Sequence, residues 1–242
     1  MIPPVGADVD IWLGDLGHGA DPVSLRRLLA PYEIARAERF VQEIHMSRFI
    51  LRRAFRRIVL GHYLDHPPGE LEFDEDGTKK PVLVTGPDVP PLHFSTSHSA
   101  DQWLMAVSGA EIGADTEAPR ALMDMDAMIA RVCSSDEVRL LSYMLPDARQ
   151  DHFFTLWTVK EAVAKLTGEG LRAPLDAIDT RGVVDPEGAT YGGNHIHLSA
   201  PAVPGPAKAM LAAYQPFGTL CARDVLELLS PRSGETGPPA TG

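Results

Sequence analysis

The sequence predicts an α+β fold, and three observations predict it. Strand-like and helix-like segments come in blocks, strand, helices, strands, then helices, strands, a segregation that favours α+β over a doubly wound parallel sheet. Glycine and proline cut the chain at clear places, as in "DHPPGELEFDEDGTKKP", where Pro67, Pro68 and Gly77 break regular structure. The pattern of apolar strand followed by turn in "WLMAVSGAEIG" returns late in the chain as "AMLAAYQPFG", which points to two halves of related architecture.

Each element has its own reason. "VDIWLGDL", Val9 to Leu16, reads as a first strand. From Ser24 to Leu64 arginines far outnumber glutamates, so this stretch is basic inside a chain of formal net charge −11. Within it Phe49, Ile50, Ala54, Ile58 and Leu60 recur at helical spacing and predict an amphipathic helix from about Glu43 to Leu64 with arginines around its polar side. Two readings fit those arginines: a solvated face, or an anion site, because guanidinium forks match phosphate oxygens two at a time. "PVLV" is a short strand. "LHFSTSHSADQWLMAVSGAEIGADTEAPR" reads as strand, turn, strand, tight turn, strand, with Trp103–Val107 and Ile112–Glu117 as hairpin partners. Helical sequence runs from about Met123 to Leu171, broken near Cys133–Asp136 and at Pro146. Strands return from Ile178 to Leu220 in "AIDTRGVV", "HIHLSA" and "KAMLAAYQP", and "PRSGETGPPATG" reads as a disordered tail.

Composition excludes several classes. A chain of 242 residues, 44% hydrophobic and 23% charged, is an ordinary soluble globular protein. Its acidity opposes nucleic-acid binding through a general positive field. "MIPPVGADVD" has no signal-peptide pattern and no apolar run reaches membrane-spanning length, so a cytoplasmic location without a membrane partner is expected. Cys133 and Cys221, far apart and without ligand spacing, give neither a disulfide framework nor a zinc site. His195 and His197 share one strand face but have no evident third ligand.

Chemistry concentrates in three places. Asp115 and Glu117 leave the same face of a predicted strand with Cα atoms about 7 Å apart. An exposed edge strand tolerates such a pair, and a divalent cation turns its repulsion into attraction. In "WTVKEAVAKLTGEG" the spacing of Leu156, Val159, Val163 and Leu166 makes a buried stripe. Lys160, Glu161 and Lys165 are expected on the other side, and Gly168 and Gly170 end the helix. Glu161 and Lys165 fit either a surface ion pair or a metal-and-phosphate pair. "STSHS" places Ser97 and His98 at a strand end, where His98 can donate to a phosphate; without a GxSxG elbow Ser97 does not read as a nucleophile. "TKKP" puts Lys79 and Lys80 in a turn, and no P-loop is present.

"FSTSHS", then "IGADTE", then "WTVKEAVAKLTGEGL", in this order, resembles the surfactin-type (Sfp-type) 4'-phosphopantetheinyl transferases, whose pattern runs SH, then (G)xDxE, then WxxKEAxxKxxGxGL. "RAERF" and "SRFILRRAFRRIVL" look like that family's arginine-bearing N-terminal helices, and "TKKP" like its GKP turn, from which Thr78 departs. The resemblance implies a pseudo-twofold pair of similar α/β halves, residues 1–111 and 112–230, followed by a tail at 231–242, with coenzyme A in the cleft between the halves. It implies Mg²⁺-dependent transfer of 4'-phosphopantetheine from coenzyme A to a serine of an apo acyl or peptidyl carrier protein of fatty acid, polyketide or nonribosomal peptide synthesis. The other product is adenosine 3',5'-bisphosphate. By motif, Asp115, Glu117 and Glu161 would hold Mg²⁺, with Mn²⁺ as the alternative ion, and Lys165 would bind phosphate near the reacting centre. Ser97 and His98 would meet the 3'-phosphate side of the coenzyme, with Arg36, Arg53, Lys80 and Pro81 as further coenzyme contacts. Glu137, in "RVCSSDEVRLL", would be the base acting on the carrier serine. A monomer is expected, since one chain supplies both walls of such a cleft. Two other classes compete: a non-catalytic binding module, which should lack one of the three carboxylates, and a nucleotide pyrophosphohydrolase, which should carry a denser run of glutamates on one helix.

Overall fold

The computed structural model describes residues 3–74, 80–86, 91–180 and 187–229. Gly77, Thr78, Lys79 and the expected tail lie outside these residues. The chain opens with β1 (Val9–Asp15), the short α1 (Pro22–Leu25) and α2 (Pro31–Ala37), and the long α3 (Glu43–Leu64). A two-stranded ribbon of β2 (Phe73–Asp74) and β3 (Val82–Leu83) precedes β4 (His93–Ser99), β5 (Gln102–Ser108) and β6 (Ile112–Glu117). Then come α4 (Met125–Val132), α5 (Ser135–Ser142) and α6 (Pro146–Thr167), followed by β7 (Gly188–Tyr191), β8 (Asn194–Ser199), β9 (Lys208–Ala213) and β10 (Leu220–Asp224).

Two four-stranded sheets result, ordered β10-β1-β5-β4 and β6-β9-β8-β7. The period-2 alternation of their central strands sorts side chains into layers. Trp12 on β1 and Trp103, Met105 and Val107 on β5 face α3, where Phe55 and Val59 meet them. Their neighbours Val9, Ile11, Leu104 and Ala106 face the other way and pack against Ile112, Ala114 and Leu211 of the second sheet. Beyond that sheet, Met210 and Ala212 meet Val159 and Val163 of α6. The order is therefore α3, first sheet, second sheet, α6. Gly113 permits the last contact, because a Cβ there would stand 1.9 Å from the carbonyl oxygen of Ala162. Only a residue without a side chain lets α6 lie this close to β6.

The structure corrects two strand assignments. Trp103–Val107 and Ile112–Glu117 are not hairpin partners: β5 pairs antiparallel with β1 on one edge and with β4 on the other, so no edge remains for β6, which pairs with β9 instead. "AIDTRGVV" supplies only an isolated bridge between Asp179 and Thr190, and residues 181–186 lie outside those described. The last strand, β10, runs parallel to β1 and returns the chain to the first sheet.

Where the sheets meet, β4 and β6 lie side by side, joined by serine side chains. Ser95 Oγ accepts from the Ala114 amide at 3.0 Å and Ser99 Oγ from the Ala118 amide at 2.9 Å. Ser97 Oγ donates to Asp115 Oδ1 at 2.7 Å, and Ser99 Oγ to Glu117 Oε2 at 3.0 Å. Short hydroxyls at alternate positions thus satisfy backbone and carboxylate groups that a ladder would otherwise engage.

Candidate active site

This seam holds the candidate site residues Ser97, Asp115 and Glu117. Gly113, Asp115 and Glu117 alternate with Ile112 and Ala114, which fill the core between the sheets. The two carboxylates therefore face α6, whose residues Leu156, Val159, Val163 and Leu166 are buried as their spacing predicts. Glu161 and Lys165 project from α6 toward Asp115, and Gly168 closes the helix in the left-handed conformation at φ 76°. Lys165 Nζ donates to Asp115 Oδ1 at 2.6 Å. The other oxygen, Asp115 Oδ2, is buried and accepts no hydrogen bond.

A cavity of about 520 Å³ opens over this group. Asp115, Glu117, Glu161 and Lys165 line it together with Ser97, His98, Arg36, Arg53 and Pro81. All of these were singled out from the sequence. Arg52, Phe49 and Trp157, which were not, line it too. A second depression of about 500 Å³ continues from it past Phe40, Arg48 and Arg120.

The electrostatics follow from enclosure. Burial raises the Glu161 carboxyl above its usual range, reinforced by the charge of Asp115 and, less, of Glu117, against relief from Lys165. Burial pushes the His98 imidazole down to about 4, helped by the charges of Arg52, Lys165 and Arg48, so the ring is neutral near pH 7. Arg52, whose Nη1 lies 3.2 Å from His98 Nδ1, is held down to about 10 by burial and by Arg53 and Arg36. Lys80 donates to the Ile112 carbonyl at 2.6 Å, and burial, with Lys165 adding to it, pushes its ammonium down to about 8.

One sequence-based expectation is corrected here, the side of α6 on which Lys160 lies. Lys160 does not share the polar side of α6. Four residues after Leu156 and three before Val163, it lies within the buried face, where its ammonium donates to the carbonyls of Leu175 and Ile178 and to Glu137 Oε2, each at 2.8 Å. Glu137, expected as the base, does not line the cavity. It is fully buried; Oε2 also accepts from the Ser134 amide at 2.8 Å in a capping box, and Oε1 from Thr180 Oγ1 at 2.6 Å. Both its oxygens are engaged by donors from Ser134, Lys160 and Thr180. The arginines divide as well. Arg56 and Arg57 are buried on Glu33, at 2.9 and 2.7 Å; Arg56 still lines the cavity with Arg36, Arg52 and Arg53, and Arg57 does not.

The residue set can hold a divalent cation. A buried carboxylate oxygen without a partner, beside two further carboxylates, favours one, and oxygen-only donors suit Mg²⁺ or Mn²⁺. Among the described residues no three such side chains stand close enough to enclose an ion as they lie, and the ammonium of Lys165 supplies positive charge at Asp115. Among these residues no helix is long and apolar enough to cross a membrane.

Comparison with known proteins agrees with the motif reading. The profile of the 4'-phosphopantetheinyl transferase superfamily matches residues 111–200, the stretch that holds Asp115, Glu117, Glu161 and Lys165. The chain is 36% identical to the 4'-phosphopantetheinyl transferase HetI of Nostoc sp. over 156 residues, 64% of this chain and 65% of that protein. It is 34% identical to the 4'-phosphopantetheinyl transferase psf-1 of Bacillus pumilus over 148 residues, 61% of each chain. With slr0495 of Synechocystis sp., whose name places it in the same family, identity is 31% over 169 residues, 69% of this chain and 68% of that one. The chain thus spans slightly under two thirds of HetI and psf-1 and slightly over two thirds of slr0495. It belongs to the 4'-phosphopantetheinyl transferase superfamily.

Proposed function

We propose that this protein is a Mg²⁺-dependent 4'-phosphopantetheinyl transferase, moving phosphopantetheine from coenzyme A to a serine of an apo acyl or peptidyl carrier protein and releasing adenosine 3',5'-bisphosphate. The observation that carries this reading is that three carboxylates, Lys165 and several arginines line one cavity. Coenzyme A is a polyanion whose pyrophosphate needs charge neutralisation and alignment more than covalent help. Arg36, Arg52 and Arg53 bind its negative charge, and neutral His98 donates a hydrogen bond on the 3'-phosphate side. Pro81 lines the cavity, while Lys80 is held on the Ile112 carbonyl and does not line it.

Asp115, Glu117 and Glu161 would hold Mg²⁺, which when bound neutralises pyrophosphate oxygens as a Lewis acid. Ser97 fixes the Asp115 carboxylate by its hydrogen bond, and Lys165 presents its ammonium to the leaving phosphate. The serine oxygen of the carrier attacks the pantetheine-side phosphorus and its proton passes to water. The bond from that phosphorus to the bridging oxygen breaks, and adenosine 3',5'-bisphosphate leaves with the electron pair.

The same reading treats residues 1–111 and 112–230 as two related halves. Each contributes a 22-residue helix, α3 and α6, against a four-stranded sheet, with β10 crossing to the first sheet. Both walls of the cavity come from one chain, which supports a monomer. The test is intact mass spectrometry of apo carrier proteins incubated with the protein, coenzyme A and Mg²⁺. A gain of one phosphopantetheine, abolished by EDTA and by Asp115→Ala or Glu161→Ala, is the expected result. Coenzyme A binding without transfer to any carrier would reduce the protein to a binding module.

A further inference from the structure

Three arginines that border the cavity surround one aromatic ring. The guanidinium carbons of Arg53, Arg52 and Arg36 stand 5.2, 5.7 and 5.8 Å from the centroid of Phe49. Local sequence explains two of them, since Arg52 and Arg53 follow Phe49 by three and four residues on α3 and so share its side of the helix. Arg36 arrives from the last turn of α2. Phe40, half-exposed at the cavity mouth, packs on the same ring at 5.5 Å.

Like charges this close repel; the Arg52 guanidinium is held down to about 10, by burial first and by the charges of Arg53 and Arg36 after it. Among the described residues a carboxylate relieves it at Arg53. Glu33 is bound to Arg56 and Arg57 and reaches only Arg53, at 3.8 Å. Among the described residues neither Arg36 nor Arg52 forms an ion pair. What faces all three is the negative π surface of Phe49. As a core residue only 4% exposed, Phe49 could be replaced by leucine with little loss of burial, so the ring's distinctive contribution is its quadrupole.

We propose that Phe49 is a positioning residue: its π face gathers Arg36, Arg52 and Arg53 into one anion-binding cluster without neutralising them. A carboxylate in the same place would hold the guanidiniums equally well and compete with the incoming phosphates. An aromatic ring holds them and adds no negative charge that would compete with the ligand. As applied to coenzyme A, the inference rests on the function proposed above; as applied to polyphosphate in general, it stands by itself.

The test is a fluorination series on the full-length protein, with Phe49 replaced by 4-fluoro-, 3,5-difluoro- and pentafluorophenylalanine and, separately, Phe49→Leu. Affinities for inorganic pyrophosphate and for coenzyme A are measured by calorimetry beside thermal melting. Fluorine withdraws electron density from the ring face while shape and apolarity change little. Affinity for both ligands is expected to fall stepwise with fluorine number, reaching about tenfold in the pentafluoro protein, with the melting temperature nearly constant. Phe49→Leu should match the pentafluoro protein in affinity. A flat affinity series, or one that falls only in step with melting temperature, overturns the proposal and leaves Phe49 a packing residue. Wild-type protein that binds neither ligand overturns it as well. Pyrophosphate binding that follows the series without any coenzyme A binding supports the role of Phe49 and removes coenzyme A as the co-substrate.

Discussion

Removing either charge of the Glu137–Lys160 pair distinguishes a buried structural ion pair from a catalytic base. Both side chains are fully buried, their charged atoms 2.8 Å apart, and each has further partners in Thr180, Ser134, Leu175 and Ile178. Lys160→Met leaves a carboxylate in the interior with two neutral donors, and Glu137→Leu leaves an ammonium with two carbonyls. Breaking a buried pair from one side costs about 3–5 kcal/mol. A domain of ordinary stability has about 5–15 kcal/mol in all. Either single variant should therefore lower the denaturant midpoint steeply, while the double variant recovers a large part of the loss because no uncompensated charge remains. Urea unfolding followed by fluorescence of the three tryptophans measures this. Glu137→Gln should lose stability and turnover together. If it kept full stability and lost turnover alone, or if Lys160→Met cost under about 1 kcal/mol, the structural reading of the pair would be refuted and Glu137 would return as a candidate base.

Other consequences can be checked as directly. Gly113→Ala drives a methyl group against the Ala162 carbonyl; it should cost about 1–3 kcal/mol or more and abolish transfer by displacing Glu161 and Lys165 from Asp115, which denaturation and carrier loading would show. His98 has a folded value of about 4 against 6.5 when unfolded, so acid favours the unfolded chain. Stability is fully present above pH 6.5 and declines as pH falls from there toward 4, and His98→Gln should flatten that part of the thermal-melting profile. Burial, with Glu137 adding to it, pushes the Cys133 thiol up to about 12, so native protein at pH 8 should take maleimide at Cys221 only and at both cysteines after denaturation.

Much of the site was legible before any coordinates. Spacing within α6 marked its buried stripe, the alternation in "IGADTE" put Asp115 and Glu117 on one face, and the order of three motifs identified the family. Periodicity also placed α3 and α6 within a few residues of their ends. What spacing left undecided was the use of each polar residue on a helix. Lys160 and Glu161 are adjacent, yet one is sealed inside on two carbonyls and Glu137 while the other borders the cavity.

The sequence by itself therefore determined most of the elements, the facing of their apolar side chains and the residue types of the candidate site, because these depend on local geometry repeating every 2 or 3.6 residues. Only the tertiary structure decided that β5 has both edges occupied, that serines on β4 support the carboxylates of β6, and that one ring on α3 gathers three arginines. Those arrangements join residues far apart in the chain. Hydrogen-bond satisfaction and charge compensation in a shared interior select them, and neither can be computed from a segment alone.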